Sequence, residues 1–93
     1  MILLFGSKET EKIWEGLSVK KLPPEIQQIG RKKLRMLNNA QDNGDLLIPL
    51  SNRSEKLAGN LAGYYSIRIN LQWRIIFKWE NGNSTHVQII DYQ

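Results

Sequence analysis

The chain has no cysteine and one histidine, His86. Without cysteine there is no disulfide framework and no thiolate chemistry. One histidine, with no G-x-S-x-G run, leaves little from which to build a nucleophilic triad. No H-x-x-x-H or Cys/His spacing suggests a zinc site. No glycine-rich loop opens a helix, which excludes nucleotide binding of the P-loop or Rossmann kind. Long apolar runs are missing too. The stretch Met1-Ile2-Leu3-Leu4-Phe5 is far too short to span a membrane and has no basic leader, so it reads as a strand rather than a signal peptide. There are no internal repeats and no low-complexity segment.

Ninety-three residues with 41% hydrophobic content and three tryptophans predict one packed domain, residues 1–93. The net charge is +4. That charge fits either ordinary solubility or a polyanionic partner, and both halves of the chain are mildly basic, so composition alone does not decide. The lack of cysteine suits a reducing cytoplasm.

Residues 63–79 organise the chain. Two runs of high β propensity, broken at Asn70, read as a hairpin. Successive side chains in a strand point to opposite sides. Tyr65, Ile67 and Ile69 therefore share one face with Trp73, Ile75, Phe77 and Trp79, and that face is core. Tyr64, Ser66, Arg68, Arg74, Ile76 and Lys78 take the other. Cations near the middle of a sheet need an anion, from the protein or from a ligand.

Residues 1–5 predict a first strand ended by Gly6. Ser7 is placed to cap a helix, with Glu9 and Glu11 in its first turn. Thr10, Ile13, Trp14 and Leu17 recur on one helical face. Lys20-Lys21-Leu22-Pro23-Pro24 is a basic linker whose prolines suit the start of a second helix. Residues 25–41 form that helix, with Ile26, Ile29, Met36, Leu37 and Ala40 inward. Lys33 falls in the apolar sector, its head snorkelling outward. Arg31, Lys32 and Arg35 read as a solvated face. Residues 42–45 are a turn. Residues 46–62 show no clean period, and a loop of that length in so small a domain is usually functional. Glu80-Asn81-Gly82-Asn83 is a strong turn before a last strand, residues 85–90. The order β-α-α-β-β-β gives an α+β domain, with two helices on one face of a mostly antiparallel sheet.

The candidate site is then Arg53, Lys56, Arg68, Arg74 and Lys78, with Glu55, Asp91 and tyrosines. Cations that hold a phosphate, a carboxylate and phenols suit phosphodiester chemistry without a metal or other cofactor. Parity favours Tyr64 for this site and Tyr65 for the core. His86 reads as a packing or surface residue.

These residues also carry a resemblance. The run Asn52-Arg53-Ser54-Glu55-Lys56-Leu57, then Gly59-Asn60, Ser66-Ile67-Arg68-Ile69-Asn70, Gln72-Trp73-Arg74 and Ile90-Asp91-Tyr92 resembles the HigB toxins of the RelE/ParE superfamily of bacterial toxin–antitoxin systems. Leu22-Pro23-Pro24 and Arg31-Lys32-Lys33-Leu34-Arg35-Met36-Leu37 resemble that family's linker and long helix. The resemblance implies a RelE-like microbial RNase fold and an endoribonuclease that cleaves mRNA in the ribosomal A site. Attack would be by the ribose 2′-OH. It implies a HigA-type helix-turn-helix antitoxin as partner, the 70S ribosome with its mRNA as target, contact with operator DNA only through the antitoxin, and no membrane. Carried over by position, Arg74 would stabilise the scissile phosphate, and Asp91, Tyr92 and Gln93 would end the catalytic strand. Arg68 matches an arginine frequent in these toxins.

The chain departs from the family at three places. Gln93 stands where the family usually has histidine, Glu55 where some members have histidine, and Ala58 where many have lysine. Glutamine cannot transfer a proton near neutral pH. Tyr92 is left as the proton donor, with Glu55 or Asp91 as the base, in an activity that Gln93 weakens. A non-nuclease relative, either a ParE-like gyrase poison or an inert antitoxin-binding partner, is the competing reading, and superfamily membership does not separate the two.

Overall fold

A computed structural model describes residues 1–47 and 52–92. Helix α1 is Lys8–Trp14, started by Ser7, whose Oγ accepts from the Thr10 N–H at 3.2 Å. Its end is a Schellman motif. The Gly16 N–H donates to the Ile13 carbonyl (3.0 Å) and the Leu17 N–H to that of Lys12 (2.9 Å), with Gly16 at φ +89. Glycine alone adopts that backbone without strain. The reversal carries Leu17 off the helical face expected for it, and Leu17 lies exposed.

Helix α2 is Pro24–Asn39, with proline in its first turn. Ile26, Gly30, Leu34 and Leu37 form its buried stripe. Ile29 and Met36, expected inward, flank that stripe half-buried. Gly30 marks a close approach to the sheet: a Cβ there would lie 3.0 Å from Ile89 Cδ1. Buried Gln27 ties down the linker. Its amide accepts from the Val19 N–H and donates to the carbonyls of Val19 and Leu22, at 2.6 to 3.0 Å.

The four strands β1 (Glu55–Lys56), β2 (Tyr65–Arg68), β3 (Trp73–Glu80) and β4 (Asn83–Asp91) lie in sequence order and pair antiparallel throughout. Asn70 closes the β2–β3 turn, its Oδ1 accepting from the backbone N–H groups of Gln72 and Trp73. Asn81 and Gly82, both at positive φ, close the β3–β4 turn. Residues 1–5 are less regular than the strand expected. They run parallel to β4 through two isolated bridges, Ile2↔Ser84 and Phe5↔Val87. A bulge in β4 breaks the β3–β4 ladder. Ile76 pairs with Gln88 and Lys78 with Thr85, so two residues face Phe77, and His86 adopts φ +53.

The hydrophobic core lies between the helices and one sheet face. Ile13, Leu34 and Leu37 meet Ile67, Ile75, Phe77 and Val87 there, all fully buried. Tyr65 stacks on Phe77, as strand parity requires. No helix among the described residues is long and apolar enough to cross a membrane.

Candidate active site

The strand register builds the second sheet face. Arg68 sits directly across from Arg74, Ser66 across from Ile76, and Glu55 of the edge strand across from Ser66. Residues so paired point to the same side. Two like charges set opposite one another repel, and an anion relieves the repulsion.

Glu55 supplies that anion to Arg74. The Arg74 Nη1 lies 3.3 Å from Glu55 Oε1. Its Nη2 donates to the Arg53 carbonyl at 2.6 Å. The ring of Tyr92 lies against the same guanidinium, 5.1 Å from Cζ to centroid. Arg74 is 8% exposed, so these contacts operate in a medium far less screening than water. Glu55 is half exposed. Arg74 Nε and Ser66 Oγ are buried on this face with no hydrogen-bond partner among the described residues. Such unsatisfied groups cost about 1–3 kcal/mol each.

Further along β3, Lys78 is exposed and lies over the Tyr64 ring, 5.2 Å from its centroid. It stands four positions beyond Arg74, roughly 13 Å along a strand. Arg68 is half-buried and has no hydrogen-bond or ion-pair partner among the described residues. Together these side chains form a cationic strip with an aromatic at each end.

Not every sequence-predicted residue reaches it. Lys56 is in register with Tyr65 and so belongs to the opposite side of the sheet edge. Arg53 takes part through its carbonyl, at φ +44, while its side chain is exposed. Asp91 is in register with Trp73, on the face opposite Arg74, and its Oδ2 accepts from Gln72 Nε2 at 3.0 Å. The Tyr92 N–H donates to the Gln72 carbonyl (2.7 Å), which carries the pairing one residue past β4. Gln93 lies outside the described residues. His86 is exposed on β4, at the far side of the sheet from β1, with Nδ1 3.0 Å from Thr85 Oγ1.

Three polar residues have structural roles their sequence positions do not announce. Arg31, expected on a solvated face, donates through Nε to the Ile13 carbonyl at 2.8 Å and so satisfies the end of α1. Asn52 is fully buried. Its Nδ2 donates to the Leu46 carbonyl (3.1 Å) and lies 3.0 Å from Met36 Sδ. Its Oδ1 accepts from Lys33 Nζ. Lys33 is half-buried with its ammonium directed at Asn52, and burial lowers its pKa. The apolar neighbours of Lys33 signal a burial problem, but nothing in the sequence names Asn52 as its solution.

Chemically, a guanidinium with one removable carboxylate partner can hold a phosphate bidentately. The half-exposed carboxylate beside it can accept a proton, and the phenol can give one. Among the described residues no three His, Cys, Asp or Glu side chains cluster to hold a metal ion.

The same fold occurs in solved toxins. The YoeB–YefM complex from Staphylococcus aureus contains a chain that superposes with a TM-score of 0.62 at 20% identity, covering 100% of this chain and 95% of that one. The structure of the YoeB dimer from the same species gives 0.58 at 21%, covering 99% and 94%. That likeness is one of fold. A profile described as the RelE-like toxin of the type II toxin–antitoxin system HigB matches residues 4–93. Toxin HigB-1 of Vibrio cholerae is 43% identical over 83 residues, covering 88% of this chain and 87% of that protein. An uncharacterized protein of Haemophilus influenzae is 32% identical over 69 residues, covering 74% and 68%. The chain belongs to the HigB-like toxin family.

Proposed function

We propose that the protein is a metal-independent endoribonuclease that cleaves mRNA in the ribosomal A site and so arrests translation and growth. The observation that carries this reading is the Arg74 guanidinium, nearly buried yet held, among the described residues, by a half-exposed carboxylate, a carbonyl and the Tyr92 ring. The scissile phosphate takes the place of Glu55 on Arg74. The ribose 2′-oxygen attacks phosphorus and its proton passes to the Glu55 carboxylate. The bond to the 5′-oxygen breaks, and that oxygen takes a proton from Tyr92. The products are a 2′,3′-cyclic phosphate and a 5′-hydroxyl. Arg68, Lys78 and Tyr64 hold the flanking backbone and bases.

A HigA-type helix-turn-helix antitoxin neutralises the toxin in the bacterial cytoplasm, and the protein meets operator DNA only through it. Family membership and the pairing of YoeB with YefM support an antitoxin partner. The test is induction of the toxin with and without an antitoxin, followed by mapping of mRNA ends. Cuts at codon boundaries within translated regions are expected. Intact mRNA with accumulating gyrase–DNA cleavage complexes would instead identify a ParE-like poison.

Two further outcomes are expected. Ribosome binding weakens steeply with salt, because Arg68 and Lys78 displace counterions from phosphates; Arg68→Ala or Lys78→Ala reduces the slope of log K against log salt by about one. Binding that is flat in salt would point to a protein surface as the target. Gln93→His raises single-turnover cleavage about tenfold or more, since histidine titrates near neutral pH and glutamine does not. Equal rates and equal pH profiles would remove residue 93 from the chemistry.

A further inference from the structure

We propose that Lys33 and Asn52 act as a positioning strut that sets the Arg74 guanidinium for catalysis from the opposite side of the sheet edge. The proposal rests on the nuclease reading of the site. Lys33 belongs to α2, in the helix layer, whereas Glu55 and Arg74 lie on the other face. The chain crosses between the two layers at residues 52–55.

Asn52 fixes the crossing on the helix side. It is fully buried, and its side-chain contacts run to Lys33 and Met36 of α2 and to the Leu46 carbonyl. One residue later, Arg53 turns at φ +44 and aims its carbonyl at Arg74 Nη2. Two residues after that, Glu55 enters the sheet opposite Ser66 and meets Arg74 Nη1. Among the described residues, both polar contacts of the guanidinium thus come from a segment of three residues. On one side the β1 pairing holds that segment, continued by the Leu57 N–H donating to the Tyr64 carbonyl at 2.8 Å; on the other side it begins at Asn52. A positive φ at a non-glycine residue persists only where its surroundings over-determine it. Among the described residues, the Asn52 anchor and the β1 pairing restrain Arg53 from its two sides.

Lys33 is an unexpected choice for the helix side of this anchor. It stands in the apolar sector of α2, and burial disfavours its charge. A hydrocarbon side chain would suit the stripe better. What lysine adds is a donor for Asn52 Oδ1, which orients the amide so that Nδ2 faces Leu46. Neither residue touches the place where RNA would lie, so both act through Arg53 and Glu55 on Arg74.

The test uses the full chain with Lys33→Met, Lys33→Arg and Asn52→Ser. Lys33→Met keeps the length and packing of the side chain and removes the donor; Lys33→Arg restores a donor; Asn52→Ser shortens the anchor. The first readout is the Arg74 Nε–H resonance in nitrogen-15 spectra and its hydrogen-exchange rate, which require no substrate. Lys33→Met and Asn52→Ser are expected to shift that resonance and speed its exchange at least tenfold, and Lys33→Arg to return both toward the parent. The second readout is cleavage on programmed ribosomes: the maximal rate should fall about tenfold in Lys33→Met with half-saturation unchanged. If the parent protein cuts no mRNA but the Arg74 signal responds as described, the strut stands and the nuclease reading falls. A lower melting temperature with the Arg74 resonance unmoved would show that the contact only holds the loop down, and would overturn the proposal. So would full cleavage by Lys33→Met.

Discussion

Arg74→Ala is expected to lower mRNA cleavage about 10²–10³-fold and to abolish growth inhibition, while the protein still folds. The loss follows from removing a fixed positive charge from the point where negative charge grows on the phosphate, a contribution of that size in comparable sites. Folding survives because of how the pair is exposed. Glu55 is half exposed, so its carboxylate returns to water once Arg74 is gone, and no charge is left buried and uncompensated. The arginine fork matters beyond its charge. Nη1 and Nη2 reach different partners at the same time, and a lysine ammonium cannot reproduce that plane. Arg74→Lys should therefore recover little of the lost rate. Single-turnover cleavage and thermal melting, measured on the same preparations, check both halves. Undiminished cleavage by a folded Arg74→Ala protein would take Arg74 out of the mechanism.

Glu55→Gln is expected to lower cleavage by about 10²–10⁴, the usual range for loss of a general base. The amide keeps the shape and still accepts a hydrogen bond from Arg74, but it takes no proton. Geometry separates Glu55 from its competitor for this role. Glu55 lies 3.3 Å from the guanidinium, whereas Asp91 starts from the Trp73 face and meets Gln72. Asp91→Asn should accordingly cost less than Glu55→Gln. Should Asp91→Asn instead prove the more damaging change and Glu55→Gln retain the parent rate, the assignment of the base reverses.

The fold was legible where one local signal acts alone. Ser7 as a cap, the prolines at the start of α2, and the Asn81-Gly82 turn each depend on a few neighbouring atoms. Strand parity then assigned Ile67, Ile75 and Phe77 to the core and Arg74 to the other face, because a period of two leaves no third choice. Legibility failed where two segments distant in sequence decide the outcome. Leu17 fits the periodic face of α1, but Gly16 ends the helix before it. Arg31 looks solvated until the end of α1 is packed beside it. The short strand β1 exists only because β2 offers it an edge, and no period inside residues 46–62 announces it.

The site divides along the same line. Arg74, Glu55 and Tyr92 come from the resemblance and from parity, and the structure brings all three together. Parity alone also foretold that the cation would need an anion. It could not say that Glu55 would be that anion, because the pairing depends on the register of β1 against β2. Lys56 illustrates the converse: it neighbours Glu55 in sequence, and the alternation of a strand sends it to the other side.

Purified toxin added to ribosomes programmed with a defined mRNA, followed by end-group analysis of the products, tests the central claim most directly. The expected result is a cut in the A-site codon, with a 2′,3′-cyclic phosphate on one fragment and a 5′-hydroxyl on the other. Free mRNA should stay intact, and the Arg74→Ala protein should leave the ribosome-bound mRNA intact as well. Uncut ribosome-bound mRNA under conditions where the same preparation arrests growth, or cutting that Arg74→Ala leaves undiminished, would contradict it.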